Sequence, residues 1–151
     1  METGSLTTLG SSDSGSSSST AQNLTSASTT TQNSDGSTTV TKTTSDADGN
    51  VVGTDTKVTQ ADGSYNETIK TIGPNGKTLT KNITGENTDD GFLESSTLTD
   101  SDGNVWETAS TLTATDGSVT KTSTQNGPSG DSTTETASYD AAGQLLTAST
   151  S

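Results

Sequence analysis

Apolar residues are sparse along this chain, and they alternate with threonine, serine and other polar residues. No segment repeats its apolar residues at helical spacing, whereas stretches such as Thr39-Val40-Thr41-Lys42-Thr43 place a threonine at every second position. Side chains alternate between the two faces of a strand, and β-branched residues pack well on a pleated sheet. The pattern therefore predicts a series of β-strands, each of roughly eight to ten residues.

Glycines separate these predicted strands at nearly constant intervals. Gly49, Gly76, Gly103 and Gly130 are each 27 residues apart, and further glycines divide every interval into two halves. Most of them follow Asp or Asn, and these pairs tolerate the positive φ of hairpin turns. The spacing predicts an all-β fold, an extended antiparallel meander of about 27-residue hairpin repeats. A narrow β-solenoid with two strands per coil is the alternative, although its corners are usually wider bends.

The chain divides into two parts by composition. Residues 1–33 are rich in serine and threonine and include an uninterrupted serine run at 16–19, which is typical of a flexible arm. Within this arm, residues 21–32 contain no proline and could serve as a donor strand for a neighbouring sheet edge. Residues 34–151 are predicted to form the β-hairpin repeat module.

Counted from each turn glycine, the apolar residues fall into both parity classes. Tyr65 and Leu93 occupy even positions, whereas Ile72 and Leu112 occupy odd positions. We therefore expect both faces of a thin sheet to carry apolar side chains, unlike a sandwich with one apolar face. Lysines and apolar residues are expected to interrupt the threonine rows, which argues against a regular threonine array of the kind that could bind ice.

Composition limits the core that this chain can build. Only 22% of its 151 residues are apolar, about half the usual fraction of 45–50%. The ordering entropy of an isolated subunit would then exceed the stabilisation from burial. Because the sequence has no cysteine, disulfides cannot compensate. Ions or association with other copies are the remaining sources of stability.

Charge restricts the partners. The 19 acidic and 6 basic residues give a net charge of −13, which repels nucleic acid and anionic membranes. No apolar stretch is long enough to cross a bilayer, and the first residues do not resemble a classical signal peptide. The expected partner is the chain itself, and the expected location is extracellular or on the cell surface.

Candidate chemistry is scarce. Without histidine or cysteine, the common nucleophile, base and zinc arrangements are excluded, so we expect neither catalytic nor cofactor-binding residues. Two turn sequences place oxygen ligands at alternate positions, as calcium loops do. They supply weak calcium candidates at Asp46, Asp48, Asn50, Asp100, Asp102 and Asn104, but hairpin turns stabilised by the Asp side chains explain the same sequences.

The segment Tyr139-Asp140-Ala141-Ala142-Gly143 resembles the Tyr-Asp repeats of Rhs-type bacterial surface and toxin-shell proteins. The earlier units keep only the turn glycine and a following apolar residue. This resemblance implies an extended antiparallel sheet in a cell-surface setting, and it assigns no active residue.

These observations predict a non-enzymatic structural subunit of an extracellular fibre, sheath or biofilm matrix that assembles by pairing strand edges between copies. The apolar contacts of that assembly are predicted at Leu24, Val52, Leu79, Trp106, Leu145 and Leu146. Two alternatives remain: an adhesin stalk or Rhs-like surface fragment, and a disordered acidic secreted protein.

Overall fold

A computed structural model describes residues 6–8 and 23–151, and these residues form one antiparallel β-sheet. The strands are β1 (Leu6–Thr8), β2 (Thr25–Gln32), β3 (Thr38–Ser45), β4 (Val51–Thr59), β5 (Tyr65–Ile72), β6 (Thr78–Thr88), β7 (Gly91–Asp100), β8 (Val105–Ala114), β9 (Val119–Asn126), β10 (Ser132–Tyr139) and β11 (Leu145–Thr150). Their order in the sheet is their order in the chain. The predicted meander is confirmed, and the solenoid alternative is wrong.

The turns explain why this sequence reverses so regularly. In the turn after β7, the amide of Gly103 donates to the carbonyl of Asp100 at 3.2 Å, and the amide of Asp100 donates to the carbonyl of Asn104 at 3.0 Å. Gly103 itself has a φ of 88°. This is a three-residue hairpin loop, in which a tight turn is followed by one left-handed residue. The same pair of hydrogen bonds is found in eight of the described connections, including this one.

The 27-residue spacing is the length of two strands and two turns. One repeat therefore returns the chain to the same end of the sheet, two strands further along. Turns one repeat apart can touch: the ammonium group of Lys77 lies 3.0 Å from the carboxylate of Asp102. The two side chains are exposed to solvent, so this contact between turns adds little to the stability of the sheet.

The hairpin of β6 and β7 departs from this regular pattern. These strands contain 11 and 10 residues, and they are joined at Asp89-Asp90. Gly91 then has a φ of 144° and opens β7 instead of closing a three-residue loop. The longer hairpin explains why the glycine interval is 15 residues at this point.

The described residues contain no buried hydrophobic side chain, and Ser37 is the one buried polar residue. Within residues 6–8 and 23–151, neither face of the sheet is covered by a second layer, as the low apolar content predicts. No helix of the described residues is long and apolar enough to cross a membrane.

Part of the predicted arm belongs to this sheet. β2 pairs with β3 along its whole length, and β1 pairs with the middle of β2. The serine run at 16–19 lies outside the described residues. The division of the chain at residue 33 stays a prediction, although residues 25–32 form a strand as their threonine-rich sequence permits.

Candidate assembly surfaces

The pairing register separates the side chains of the sheet into two different faces. Directly paired residues share a face, and successive residues of a strand alternate between faces. On one face, Lys57 is paired with Glu67, and Glu67 with Ile83. We call this surface the charged face, because its strand residues include Lys42, Asp55, Lys57, Glu67, Lys81, Glu94, Glu107, Lys121 and Glu135.

The opposite surface is dominated by threonine, and we call it the threonine face. One row of directly paired residues crosses nine strands of this face and contains eight threonines. Its members are Thr29, Thr41, Thr56, Thr68, Asn82, Thr97, Thr108, Thr124 and Thr134. Among the described strands, the charged residues on this face are Lys70 and Glu86.

This arrangement corrects, for the central row, the expectation that lysines and apolar residues interrupt the threonine rows, whereas Lys70, Val58, Leu93 and Leu112 do lie elsewhere on the threonine face. Lys42 follows Thr41 in sequence, but it is paired with Ser28 and Asp55 on the charged face. Similarly, Lys121 precedes Thr122 but projects to the other side of the sheet. Because neighbours in a strand face opposite ways, four of the five lysines in the described strands lie on the charged face, and Lys70 lies on the threonine face.

An aromatic cluster forms the best-packed part of the charged face. The rings of Tyr65 and Phe92 are stacked with their centroids 6.3 Å apart, and the ammonium group of Lys57 lies 3.6 Å from the centre of the Tyr65 ring. Gly85 is buried beneath both rings, and a Cβ at this position would lie 2.7 Å from Cζ of Phe92, 2.6 Å from Cδ1 of Tyr65 and closer still to Cε1 of Tyr65. Aromatic side chains covering a strand glycine are a known device for stabilising sheets.

Polar contacts fix the position of Tyr65 in this cluster. Its hydroxyl donates a hydrogen bond to the carboxylate of Glu94, and Lys57 forms an ion pair of 3.5 Å with Glu67. Burial and the neighbouring carboxylates of Glu94 and Glu67 raise the pKa of Tyr65 to about 12. The sequence shows two aromatic residues far apart, and only the register of β5, β6 and β7 reveals that they meet over Gly85.

The C-terminal edge of the sheet is open in the described part of the chain. β11 is paired with β10 on one side, and it is the last strand in the sheet order. All six of its residues are exposed, with Leu145 and Leu146 at 57% and 62%. No lysine or proline interrupts this strand, so its outer edge lacks the charged side chains and prolines that commonly prevent further pairing.

The six predicted assembly residues lie in three places. Leu24 and Val52 line one shallow groove, Leu145 and Leu146 lie on β11, and Leu79 and Trp106 each neighbour Asp100. Leu79 is paired with Asp100, and the indole nitrogen of Trp106 donates to the Asp100 carboxylate at 2.9 Å. The role of these six residues in assembly stays a prediction.

The calcium candidates lie in two turns where amide groups already surround one carboxylate. The Asp46 carboxylate accepts hydrogen bonds from the amides of Asp48 and Asn50 at 3.0 and 2.8 Å. The Asp100 carboxylate accepts the equivalent bonds from Asp102 and Asn104, both at 2.9 Å. The side-chain amides of Asn50 and Asn104 also donate hydrogen bonds to Asp46 and Asp100 respectively. These side-chain hydrogen bonds are the largest cause, and the backbone hydrogen bonds a further cause, of a pKa below the usual value for both carboxyl groups.

Each of these turns is therefore stabilised by its own aspartate. The described residues contain no group of three or more acidic side chains placed to hold a metal ion. Weak calcium binding at Asp46, Asp48, Asn50, Asp100, Asp102 and Asn104 stays a prediction.

The segment from Tyr139 to Gly143 forms the last hairpin turn. Tyr139 ends β10, the Asp140 carboxylate accepts hydrogen bonds from the amides of Ala142 and Gln144 at 2.9 and 2.8 Å, and Gly143 has a φ of 81°. Its geometry is that of the other three-residue loops in the sheet.

Taken together, the fold and its surfaces define a single-layer β-meander with two unlike faces and an open edge. No protein-family model matches this sequence, and neither the curated proteins nor the solved structures gave a match. The resemblance to Tyr-Asp repeats accordingly stays a prediction.

Proposed function

We propose that this chain is a non-enzymatic structural subunit of an extracellular fibre, sheath or biofilm matrix, and that copies assemble by pairing their strand edges. The observation that carries this proposal is a sheet without a buried apolar side chain in its described part that ends in an exposed strand. A single layer gains little from burial within one copy. Pairing between copies adds backbone hydrogen bonds and covers the exposed leucines of β11.

The register shows which groups of β11 are available for this pairing. Ser151 and Thr134 exchange two backbone hydrogen bonds of 2.9 Å, and Ala148 is paired with Ala137 three residues further along. Because bonded and non-bonded pairs alternate in an antiparallel ladder, the amide of Ala148 points away from β10. It is a donor that a strand from a second copy could use.

Charge supports an extracellular material that stays dispersed as it grows. Ten acidic residues of the described chain lie in the turns, at the two ends of the strands: Asp35, Asp46, Asp48, Asp62, Asp89, Asp90, Asp102, Asp116, Asp131 and Asp140. A row of acidic turns along a fibre would repel other fibres. The sheet edge, which lies between the two rows of turns, is left accessible.

Negative-stain electron microscopy at tens of micromolar protein, after a day at neutral pH, tests the proposal. We expect filaments from the wild-type chain and none from Ala148→Pro, because proline removes the outward amide without removing a bond to β10. The matched control Ala148→Val keeps the amide and should still form filaments. Blank grids for the wild-type chain, or filaments from all three proteins, would contradict edge assembly.

A stalk segment is the second candidate, and the repeat itself favours it. The turn after β10 has the same geometry as the earlier loops, so further repeats could extend the same sheet beyond β11. In that case the edge would be covered by the chain's own continuation and not by a second copy. A monomer with a strong β signal in circular dichroism at tens of micromolar would favour the stalk, and the absence of that signal would favour the disordered alternative.

A further inference from the structure

Of the two faces of the sheet, the threonine face is the one that could be buried without removing many charges from water. Covering the charged face would desolvate the nine charged strand residues named above and Asp100, which is paired with Leu79 on the same face. This costs more than their pairing returns unless every charge is matched. The threonine face carries Lys70 and Glu86 in its described strands, at β5 and β6. Its central row contains no ionisable residue across nine strands.

Threonine side chains suit contact with an identical surface. A hydroxyl group both donates and accepts hydrogen bonds, so two threonine arrays can satisfy each other. Threonine also has restricted χ1 rotamers, which limits the entropy lost on contact. Two cross-strand hydrogen bonds already order this row: the hydroxyls of Thr124 and Thr134 are 2.9 Å apart, and the Thr68 hydroxyl donates to the Asn82 side chain at 3.1 Å.

Apolar residues on the same face provide packing contacts. Leu93 and Leu112 are directly paired on neighbouring strands, and Val58 is paired with Asn66 in the row next to the central one. The partner surface must therefore accept both hydroxyl and aliphatic groups, as a second copy of the face would.

The area is sufficient for a stable interface. Nine strands spaced about 4.8 Å apart, with about six residues of each strand at about 3.3 Å per residue, present about 850 Å² per copy. A standard stable interface buries about 800 Å² per partner. Two sheets stacked face to face would pack about 10 Å apart, as in a β-sandwich.

We propose that the threonine face is an interface between two copies of this chain, which stack into a two-layered sheet. This inference deepens the proposed function and rests on it for the role of the pair in a fibre: edges would extend the assembly, and threonine faces would double it. The acidic turns of the two copies would lie near each other at the ends of the strands. Added salt should therefore strengthen the pairing by screening their repulsion.

Sedimentation velocity of Ala148→Pro measures this contact with edge pairing weakened, because that variant lacks the outward amide of residue 148 in β11. We expect it to form a dimer of about twice the 15.1 kDa subunit mass at tens of micromolar, and a larger dimer fraction at higher salt. Adding Thr97→Lys should give a monomer, whereas adding Ser96→Lys, on the charged face of the same strand, should leave the dimer. Circular dichroism establishes that each variant keeps its strands.

A second matched pair covers the case in which Thr97→Lys fails to fold. Thr122→Lys lies on the threonine face of β9, and Ser123→Lys lies on the charged face. Dimer loss confined to the threonine-face variants supports the proposal. The proposal would be overturned if Ala148→Pro were monomeric at all concentrations, or if both variants of each pair reduced the dimer fraction equally. It would also be overturned if the protein were a monomer that adsorbs to ice and lost this adsorption in Thr97→Lys.

The same experiments separate this inference from the proposed function. Filaments of the wild-type chain together with a monomeric Ala148→Pro would contradict the contact between threonine faces and support edge assembly. A dimeric Ala148→Pro, with no filaments of the wild-type chain, would contradict edge assembly and support the contact between threonine faces.

Discussion

The charged face and the threonine face are built on the same strands, but they gain their stability differently. On the charged face, long side chains lie over their neighbours, as Lys57 does over Tyr65 at 3.6 Å, and one aromatic cluster covers Gly85. On the threonine face, short β-branched side chains make local contacts such as the one between Thr124 and Thr134. A single-layer sheet can thus protect one face with its own side chains while the other stays suited to contact with another molecule.

Gly85→Val should have the largest effect of the substitutions that break this comparison. A Cβ at residue 85 would overlap both aromatic rings, so the cluster must open, at a cost of about 2–3 kcal/mol. Urea unfolding followed by circular dichroism measures it. Gly53→Ala is the matched control on the same face: its nearest neighbour is the Lys70 carbonyl at 3.4 Å, and we expect a change of less than about 1 kcal/mol. Equal losses from the two variants would contradict the role of the cluster.

Gly103→Val tests the turns, which serve both faces equally. Gly103 has a φ of 88°, and a Cβ at this position would meet no atom within 4 Å. Valine would therefore be strained by the backbone conformation alone, at a cost of about 1 kcal/mol or more. Gly103→Asn, which tolerates this conformation better, should lose less. The midpoints of thermal unfolding report both effects, and unchanged stability in the valine variant would argue against the hairpin geometry.

Tyr65→Phe should cost about 1 kcal/mol at neutral pH, because it removes the hydrogen bond to Glu94. The pKa of Tyr65 is raised from 10 to about 12 in the folded chain, so the neutral phenol favours the folded state. This contribution is complete below pH 10 and is lost as the pH rises towards 12. Unfolding curves between pH 9 and pH 12 should therefore converge for the wild type and Tyr65→Phe. A constant difference across that range would show that the phenol does not titrate as described.

Thr124→Val should have the smallest effect, because valine keeps the shape of threonine and suits a strand. The lost hydroxyl contact to Thr134 is replaced by water, so we expect a change within about 0.5 kcal/mol in the free energy of unfolding. Thr124→Val is made in the Ala148→Pro variant, which lacks the outward amide of residue 148, and urea unfolding of Ala148→Pro alone provides the reference. A loss as large as that from Tyr65→Phe would mean that the two faces stabilise the subunit alike.

Local chemistry in the sequence was sufficient to predict the meander. The Asp-Gly turns each carry their own signal, since an aspartate accepts the turn amides and a glycine supplies the positive φ. Alternating threonines then specify strands of similar length. Both signals lie within a few residues, and the three-residue loops around Gly36, Gly63 and Gly117 follow from them.

The composition of each face could not be predicted in the same way, because it depends on register. Tyr65 and Leu93 have the same parity relative to their glycines, yet they lie on opposite faces. The longer hairpin of β6 and β7 and the register shift between Leu98 and Thr99 change the parity along the chain. One added residue moves all following side chains to the other face, so the parity counted from each glycine does not identify the face on which an apolar residue lies.

The candidate surfaces were predicted in part. An open edge follows from any meander, and β11 lacks lysine and proline in the sequence itself. The cluster over Gly85 required knowledge that β6 lies between β5 and β7 with Gly85 directly opposite Tyr65. A strand glycine flanked by aromatic residues on the neighbouring predicted strands was the available signal.

The most direct test of the difference between the faces uses two neighbouring residues of β7. The chain has no cysteine, so Thr97→Cys and Ser96→Cys each carry one spin label, on the threonine face and the charged face respectively. Accessibility to a water-soluble paramagnetic reagent is measured before and after assembly. The account predicts that assembly protects the label at residue 97 and leaves the label at residue 96 accessible. Equal accessibility of the two labels in the assembled state would contradict it.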